Sequence, residues 1–425
     1  MNIVLSYIVS VFCQPALFLG FFSMLGLILQ KKSFSDIVKG TLKTIIGIII
    51  LFKGVDILIQ AITPINNAIN LMFSPTNTST LGDFSIFIQN NSIDIGIVMI
   101  SSFFLNVIIA RFTSFKAIFL TANLIFWFAM LFVALGTEIG ITRSLTIILA
   151  VIFTTLYLVI PSNLLAPYVK ELTGSDDFTI GHTTSIFCFL GIFIGSIFGD
   201  SKKSAENITL PKYLMFFTDT NLAAGLVMFV TYLIICIIDL VTQGTVVSEI
   251  FKTKDIFIYS LLQGVNFSAG TTVLLLGSRM MLAEIIPSFK GMSDILAPGS
   301  KPALDIPMIF SYGMNSLVIG FLTAVVFSLI TIVVLGMSGI LPYAIIPLII
   351  ACYFDVAPGA IFANQRGGII AVILSSVLGG ILLMVFCAIS LTLIASTTGT
   401  FIQVYGGNDF SLWLLLAYPI FSLFK

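Results

Sequence analysis

Apolar residues in this chain gather into long runs, many close to the ~20 residues a helix needs to cross about 30 Å of hydrocarbon. The runs lie at about 3–29, 40–62, 94–110, 117–135, 145–161, 222–241, 256–276, 310–336, 340–354, 369–397 and 410–424. Backbone polar groups find no water inside a bilayer, so such runs must be helical. The pattern predicts an all-α polytopic membrane protein of about eleven transmembrane helices. A further run at 183–198, "TTSIFCFLGIFIGSIF", is short and follows a polar stretch. It predicts a re-entrant hairpin, which is tolerated only when packed inside protein. The opening run lacks a basic stretch ahead of it and is too long for a secretion signal, so it is expected to remain as a first span.

The loops orient these spans. Lys31, Lys32 and Lys39 sit between the first two runs, whereas residues 63–93 hold no Lys or Arg. The first loop is therefore expected to be cytoplasmic and the second external. Alternating onward places most remaining basic residues inside, with Arg143, Lys252 and Lys254 as the exceptions. A half-chain echo accompanies this orientation. "GVDILIQAITP" (54–64) and "GSRMMLAEIIP" (277–287) both run from Gly to Pro, and Asn106 in "FFLNVIIA" pairs with Asn315 in "YGMNSLVI". A shift of five spans inverts topology, which predicts two inverted repeats (about 1–199 and 210–397, plus an extra C-terminal span at 410–424) with a substrate site near their interface.

Composition narrows the class. The chain is 58% hydrophobic and 9% charged, with a mean hydropathy of +1.14. A soluble domain carries about 25% charged residues, so soluble folds are excluded. Net charge is zero and no basic stripe appears, which argues against nucleic acid as a partner. The five cysteines (Cys13, Cys188, Cys236, Cys352, Cys387) are scattered through apolar runs and suit small buried hydrophobes; neither a metal site nor a disulfide framework is indicated. No phosphate-binding loop, voltage-sensor arginine repeat or potassium-type filter is present.

Polar residues at membrane depth need a reason. His182, the single histidine, stands in "FTIGHTTS" at the mouth of the short run. It is either a ligand contact or an imidazole satisfied by a nearby carbonyl. Asp305 lies between Pro302 and Pro307 just before a span, where an interrupted helix exposes backbone groups; it serves a hydroxylated ligand or caps a helix. Lys53 and Asp56, three apart, share one helix face as a structural ion pair or a proton-coupling pair. "YFDVAPGAIFANQRGG" (353–368) is expected to interrupt the helical pattern at Pro358, Gly359, Gly367 and Gly368. It forms either a cytoplasmic turn or a second hairpin facing the first, and it offers Asp355, Asn364, Gln365 and Arg366.

Several segments in order carry a family resemblance: "IVKGTLKTIIGIII" (37–50), "FTIGH" (178–182), "LPKYLMFFTDTNLAAGLVM" (210–228), "RMMLAE" (279–284), "LD" (304–305) before "IFSYGMN" (309–315), and "IFANQRGG" (361–368). Over about residues 1–410 the chain resembles the membrane subunit, enzyme IIC, of ascorbate-type phosphoenolpyruvate-dependent phosphotransferase systems (PTS). The resemblance implies a homodimer in the bacterial plasma membrane. Each protomer would have a scaffold domain and a core domain, the core moving like an elevator with one sugar-like substrate. The substrate would be L-ascorbate, a related sugar acid or a pentitol. A separate phosphocysteine protein, enzyme IIB, served in turn by enzyme IIA, would phosphorylate it at the cytoplasmic face. The chain ends at Lys425 directly after the last run, so these partners are expected as separate polypeptides. No cofactor or metal is implied.

The family's ligand positions carry over to His182 and Asp305. The family has glutamine where this chain has Thr183. In its "LTGH" motif the family has histidine where this chain reads "LTAN", giving Asn123, and glutamine four residues on where this chain has Trp127. The expected substrate-binding set is thus His182, Thr183, Asp305, Asn123 and Trp127, with no catalytic residue. The alternative from the residues alone is an ion-coupled secondary transporter of a polar small molecule, with Lys53 and Asp56 moving protons.

Overall fold

The computed structural model describes residues 14–73, 81–208, 220–338, 343, 345 and 347–425. Cys13, the start of the opening run, most of "LPKYLMFFTDT" and residues 340–342, 344 and 346 of the ninth run lie outside the described residues.

Twelve α-helices are described: α1 (Pro15–Leu29), α2 (Phe34–Phe73), α3 (Phe84–Phe112), α4 (Ala122–Ile139), α5 (Arg143–Thr173), α6 (Ser185–Ile197), α7 (Thr220–Val241), α8 (Ile256–Leu296), α9 (Met314–Ser338), α10 (Ala357–Leu393), α11 (Ala395–Tyr405) and α12 (Asp409–Ser422). A short helical lead-in, Ile349–Ala351 followed by a π turn at Cys352–Val356, precedes α10. Among the described residues, seven stretches are long and apolar enough to cross a membrane, and four shorter apolar helices accompany them (Ala16–Leu29, Ser185–Ile197, Met228–Val241 and Asp409–Ser422).

Two departures from the sequence pattern shape the site. Residues 117–119, expected to begin a helix, instead form strand β1 (Ala117–Phe119). With β2 (Thr179–Ile180) and β3 (Lys301–Leu304) it makes a three-stranded parallel sheet in the order β1-β3-β2. Ala117 is level with Lys301 and Phe119 with Ala303 on one side, and Thr179 is level with Ala303 on the other. Strands this short give no usable alternation. They persist because buried backbone groups must be paired. On the open edge of β1 side-chain amides stand in for a missing strand. Asn106 Nδ2 donates to Ala117 O at 3.1 Å, Phe119 N–H donates to Asn106 Oδ1 at 2.8 Å, and Ala117 N–H donates to Asn163 Oδ1 at 2.9 Å. Asn106, half of the sequence echo, is therefore a sheet-edge residue.

The second departure concerns 353–368. Pro358 and Gly359 do not break the helix: Pro358 falls in the first turn of α10, where a missing N–H costs little. The interruption comes at Gly368 alone, with φ 62° and ψ −158°. The stretch Ile349–Leu393 has 45 residues, about 67 Å if straight. It folds back instead, because a Cβ on Gly379 would stand 2.5 Å from Val356 Cγ1. The two arms of α10 therefore lie side by side, with Asp355 at the near end beside His182. Gly359 serves close packing: a Cβ there would stand 2.3 Å from Phe187 O on α6.

Helices α2 and α8 cross at glycines with reciprocal contacts. A Cβ on Gly54 would meet Leu274 N at 2.3 Å, and one on Gly277 would meet Leu51 N at 2.2 Å. One on Gly47 would meet Met281 N at 2.9 Å, and one on Gly270 the side chains of Ile57 and Leu58 at 3.0–3.1 Å. Every residue of one set is 223 positions from its counterpart in the other, the spacing of the Gly-to-Pro echo.

Acidic residues from elsewhere in the chain repeatedly cap helix N-termini, where free N–H groups favour negative charge. Glu206 accepts from Asn315 N at 3.1 Å and Ser316 N at 2.9 Å at the start of α9. Glu138 accepts from Ser396 N and Thr397 N at the start of α11. These carboxylates are structural.

Candidate functional site

The sheet delivers three loops to one place. Beyond β1 come Thr121 and Asn123, beyond β2 come His182 and Thr183, and beyond β3 comes Asp305. Backbone pairing continues one residue past each flanking strand: Leu120 N–H donates to Ala303 O at 3.0 Å and Gly181 N–H to Leu304 O at 2.8 Å. Thr121 Oγ1 then donates to Gly181 O at 2.7 Å. Lys301, at the start of β3, clamps Asp176, just ahead of β2. The hydrogen bond from Lys301 holds the Asp176 carboxyl below its ordinary value of 3.8, against the opposing effect of burial. A depressed pKa means the pair stabilises the fold above about pH 4 and loses that contribution as pH falls through the lowered value. Acidification is expected to raise amide hydrogen exchange at 176–181 first, by a small margin because Asp176 is about half exposed.

These loops enclose a cavity of about 180 Å³. His182, Thr183, Asp305, Asn123 and Trp127, all five residues expected from the sequence, line it together. His182 Nε2 lies 3.6 Å from Asp305 Oδ1, and Nδ1 lies 3.7 Å from Asp355 Oδ1. Both separations exceed a good hydrogen bond. The imidazole sits between two carboxylates without being tied to either, and a long contact of 3.4 Å joins its Nδ1 to Thr183 Oγ1. Asp305 takes the expected capping role, with Oδ1 accepting from Ile306 N at 2.8 Å, and the residue also lines the cavity.

Thr183 lines the cavity and also braces it. Its hydroxyl donates to Asp355 Oδ1 at 2.5 Å and so orients that carboxylate. Asn408 Nδ2 donates to Asp355 Oδ2 at 3.0 Å, while Asn408 Oδ1 accepts from Phe410 N at the start of α12. Asn123 Oδ1 is buried and has no protein partner. One wall is aromatic: Trp127 and Phe401 stand with ring centroids 4.9 Å apart, joined by Phe52, Phe354, Tyr405 and Phe410. A polar end facing an aromatic wall suits a small molecule with hydroxyl edges and an apolar face.

Behind the cavity, Asp409 fixes the His182 loop. Its carboxylate accepts from Ser185 N at 3.1 Å and Ile186 N at 2.9 Å, capping α6, and its own N–H donates to Thr183 O at 3.0 Å. Asp409→Asn keeps an acceptor for one N–H but sets an amide donor against the other. Each unpaired buried group costs about 1–3 kcal/mol. The variant is expected to melt lower and to bind ligand more weakly, as thermal denaturation and titration of the purified protein will show.

Asn408, Tyr405 and Phe401 were not singled out by sequence reasoning, which treated 398–409 as a connector. "GGND" (406–409) does carry a signal, a glycine turn followed by a helix-capping Asn. Lys53 and Asp56 form an ion pair at 3.1 Å with their side chains largely exposed, and neither lines the cavity. Among the described residues, no group of three or more His, Cys, Asp or Glu is placed to hold a metal ion.

An apolar helical chain that brings three loops to a small, mainly apolar cavity with a few polar groups has the make-up of a multi-pass membrane protein with a small-molecule site. Residues 8–407 match the family EIIC-GAT, described as "PTS system sugar-specific permease component", and the chain belongs to that family. Its seven long apolar helices mark a multi-pass membrane protein, and the chain spans about 61% of the length of the curated relative it matches. It is also 24% identical over 410 residues to the "Ascorbate-specific PTS system EIIC component" of Mycoplasma pneumoniae (strain ATCC 29342 / M129 / Subtype 1), an alignment covering 84% of this chain and 61% of that protein.

Proposed function

We propose that the chain binds a sugar-like substrate in the cavity around His182 and carries it across the membrane for phosphorylation at the cytoplasmic face. The donor is a separate phosphocysteine IIB protein, itself charged by IIA. The observation that carries this reading is the convergence of His182, Thr183, Asp305, Asn123 and Trp127 on one cavity in a PTS permease. His182 and Asp305 contact substrate hydroxyls, Asn123 supplies a further acceptor, Trp127 packs on the sugar's apolar face, and Thr183 acts mainly by orienting Asp355. The substrate class is L-ascorbate, a related sugar acid or a pentitol, the first drawn from the printed name of the Mycoplasma relative.

The finer architecture belongs to the same proposal. It comprises about eleven spans in two inverted repeats (about 1–199 and 210–397) with an extra C-terminal span at 410–424, a scaffold and an elevator-like core, and a homodimer. The reciprocal Gly47, Gly54, Gly270 and Gly277 contacts at the α2–α8 crossing support the repeat, since a two-fold axis there exchanges the partners.

An ion-coupled transporter draws no support from the Lys53–Asp56 pair, which is exposed and does not line the cavity. Vesicle uptake separates the two readings. With a proton gradient and no phosphorylated IIB, no unmodified substrate is expected to accumulate; accumulation under those conditions carries the rival.

A further inference from the structure

We propose that the Thr183 hydroxyl links the protonation of Asp355 to the tautomer of His182, and so decides whether the ring nitrogen beside Asp305 accepts or donates a hydrogen bond. Thr183 is then a positioning residue that acts on the ligand through His182. What the ligand meets rests on the sugar-site reading above; the tautomer itself does not.

The link follows from counting protons. A threonine hydroxyl has one proton to give and lone pairs with which to receive. Thr183 Oγ1 lies 2.5 Å from Asp355 Oδ1 and 3.4 Å from His182 Nδ1, and Nδ1 lies 3.7 Å from the same Asp355 oxygen. Burial pushes the His182 imidazole down from its ordinary 6.5 to about 3, so the ring is neutral and carries a single N–H. With Asp355 ionised, Thr183 donates to it. Both polar atoms beside Nδ1 then present lone pairs, so the ring proton sits on Nδ1 and Nε2 is bare. A proton added to Asp355 belongs on Oδ1, because Asn408 Nδ2 already donates to Oδ2 at 3.0 Å. The acid then donates to Thr183, whose own proton turns to Nδ1, and the ring proton moves to Nε2.

The surroundings leave little but the protons free to move. Thr183 and Asp355 are both buried. Thr184 Oγ1 donates to Asp355 O, Ser185 Oγ donates to His182 O at 3.1 Å, and Asp409 N–H donates to Thr183 O at 3.0 Å. The backbone on both sides of the hydroxyl is thereby pinned. The other titratable groups around the trio are accounted for. Asp409 accepts from Ser185 N and Ile186 N, with Tyr157 Oη 3.5 Å from it. Cys188 lies in the first turn of α6 against Thr184 Oγ1, and Cys352 stands three residues ahead of Asp355 against Ser328. Among the described residues lining the cavity there is no Lys or Arg. Asp305 Oδ1 lies 3.6 Å from Nε2, and both residues line the cavity. A bare Nε2 accepts from a ligand hydroxyl. A protonated one directs its N–H toward Asp305, and a ligand hydroxyl must then accept from it.

The test is NMR of the imidazole nitrogens in purified full-length protein labelled at histidine, with any affinity tag removed. His182 is the single histidine of the sequence, so every imidazole signal is its own. In the parent the ring proton is expected on Nδ1 at about pH 8 and on Nε2 as the pH falls toward about 5. Thr183→Ser should keep that exchange. Thr183→Val, which lacks the hydroxyl proton, should hold one tautomer across the range, and so should Asp355→Asn, which cannot titrate. A parent ring that keeps one tautomer throughout, an imidazolium, or an exchange that survives in Thr183→Val overturns the inference and leaves the sugar site in place. If the exchange is present but saturating xylitol, D-arabinitol and L-ascorbate all leave the ring signals unmoved, the link stands and His182 is removed as a sugar contact.

Discussion

Replacing Gly368 with alanine is expected to destabilise the protein by about 2–6 kcal/mol, the sum of backbone strain and overpacking. At φ 62° and ψ −158° the backbone lies in a region that side-chain-bearing residues avoid. A Cβ there would also stand 2.4 Å from both Asp200 O and Lys203 O. Those groups cannot retreat cheaply, because the same junction is held by Asp200 N–H to Gly367 O at 3.0 Å and Ile369 N–H to Lys203 O at 2.9 Å. The turn folds α10 back on itself and packs its first arm, with Asp355 just before it, against α6 and the His182 loop. Loss of the turn should therefore abolish ligand binding along with stability. Gly336→Ala is the control, since an added Cβ there meets nothing within 4 Å. Its melting temperature should stay near that of the parent, while Gly368→Ala should melt far lower or fail to accumulate as folded protein.

The largest functional effect is expected at the polar end of the cavity. His182→Ala and Asp305→Asn should each weaken ligand binding at least tenfold, or about 1.4 kcal/mol, within the range for losing a buried polar partner. Folding should survive the histidine change because its ring makes no close hydrogen bond that the fold depends on: its side-chain contacts lie at 3.4–3.7 Å. Asp305→Asn retains an oxygen that can accept from Ile306 N. Unchanged affinity in either variant, with unchanged melting, would remove that residue from the site.

Much of this was legible in the chain. Long apolar runs fix the helical membrane class because a bilayer permits little else, and a lone histidine beside a short run marked a loop that lines the cavity. The five expected site residues share one cavity. The sheet was not legible: two to four residues per strand leave no period to detect, and its edge is completed by Asn106 and Asn163 from distant helices. The interruption at 353–368 was placed too broadly, because Pro358 at a helix start looks like a breaker in sequence and is harmless in the fold. Asn408 and Asp409 were passed over because their partners, Asp355 and the Ser185–Ile186 backbone, lie far away in sequence. Thr183 was read as a ligand contact, and only its geometry shows that its hydroxyl holds Asp355.

The most direct measurement is the chemical form of labelled sugar recovered from vesicles that carry this protein and are supplied with phosphorylated IIB. The account predicts sugar phosphate inside vesicles with the parent protein and at least tenfold less with Asp305→Asn. Equal product from both, or unphosphorylated sugar accumulating inside, would contradict it.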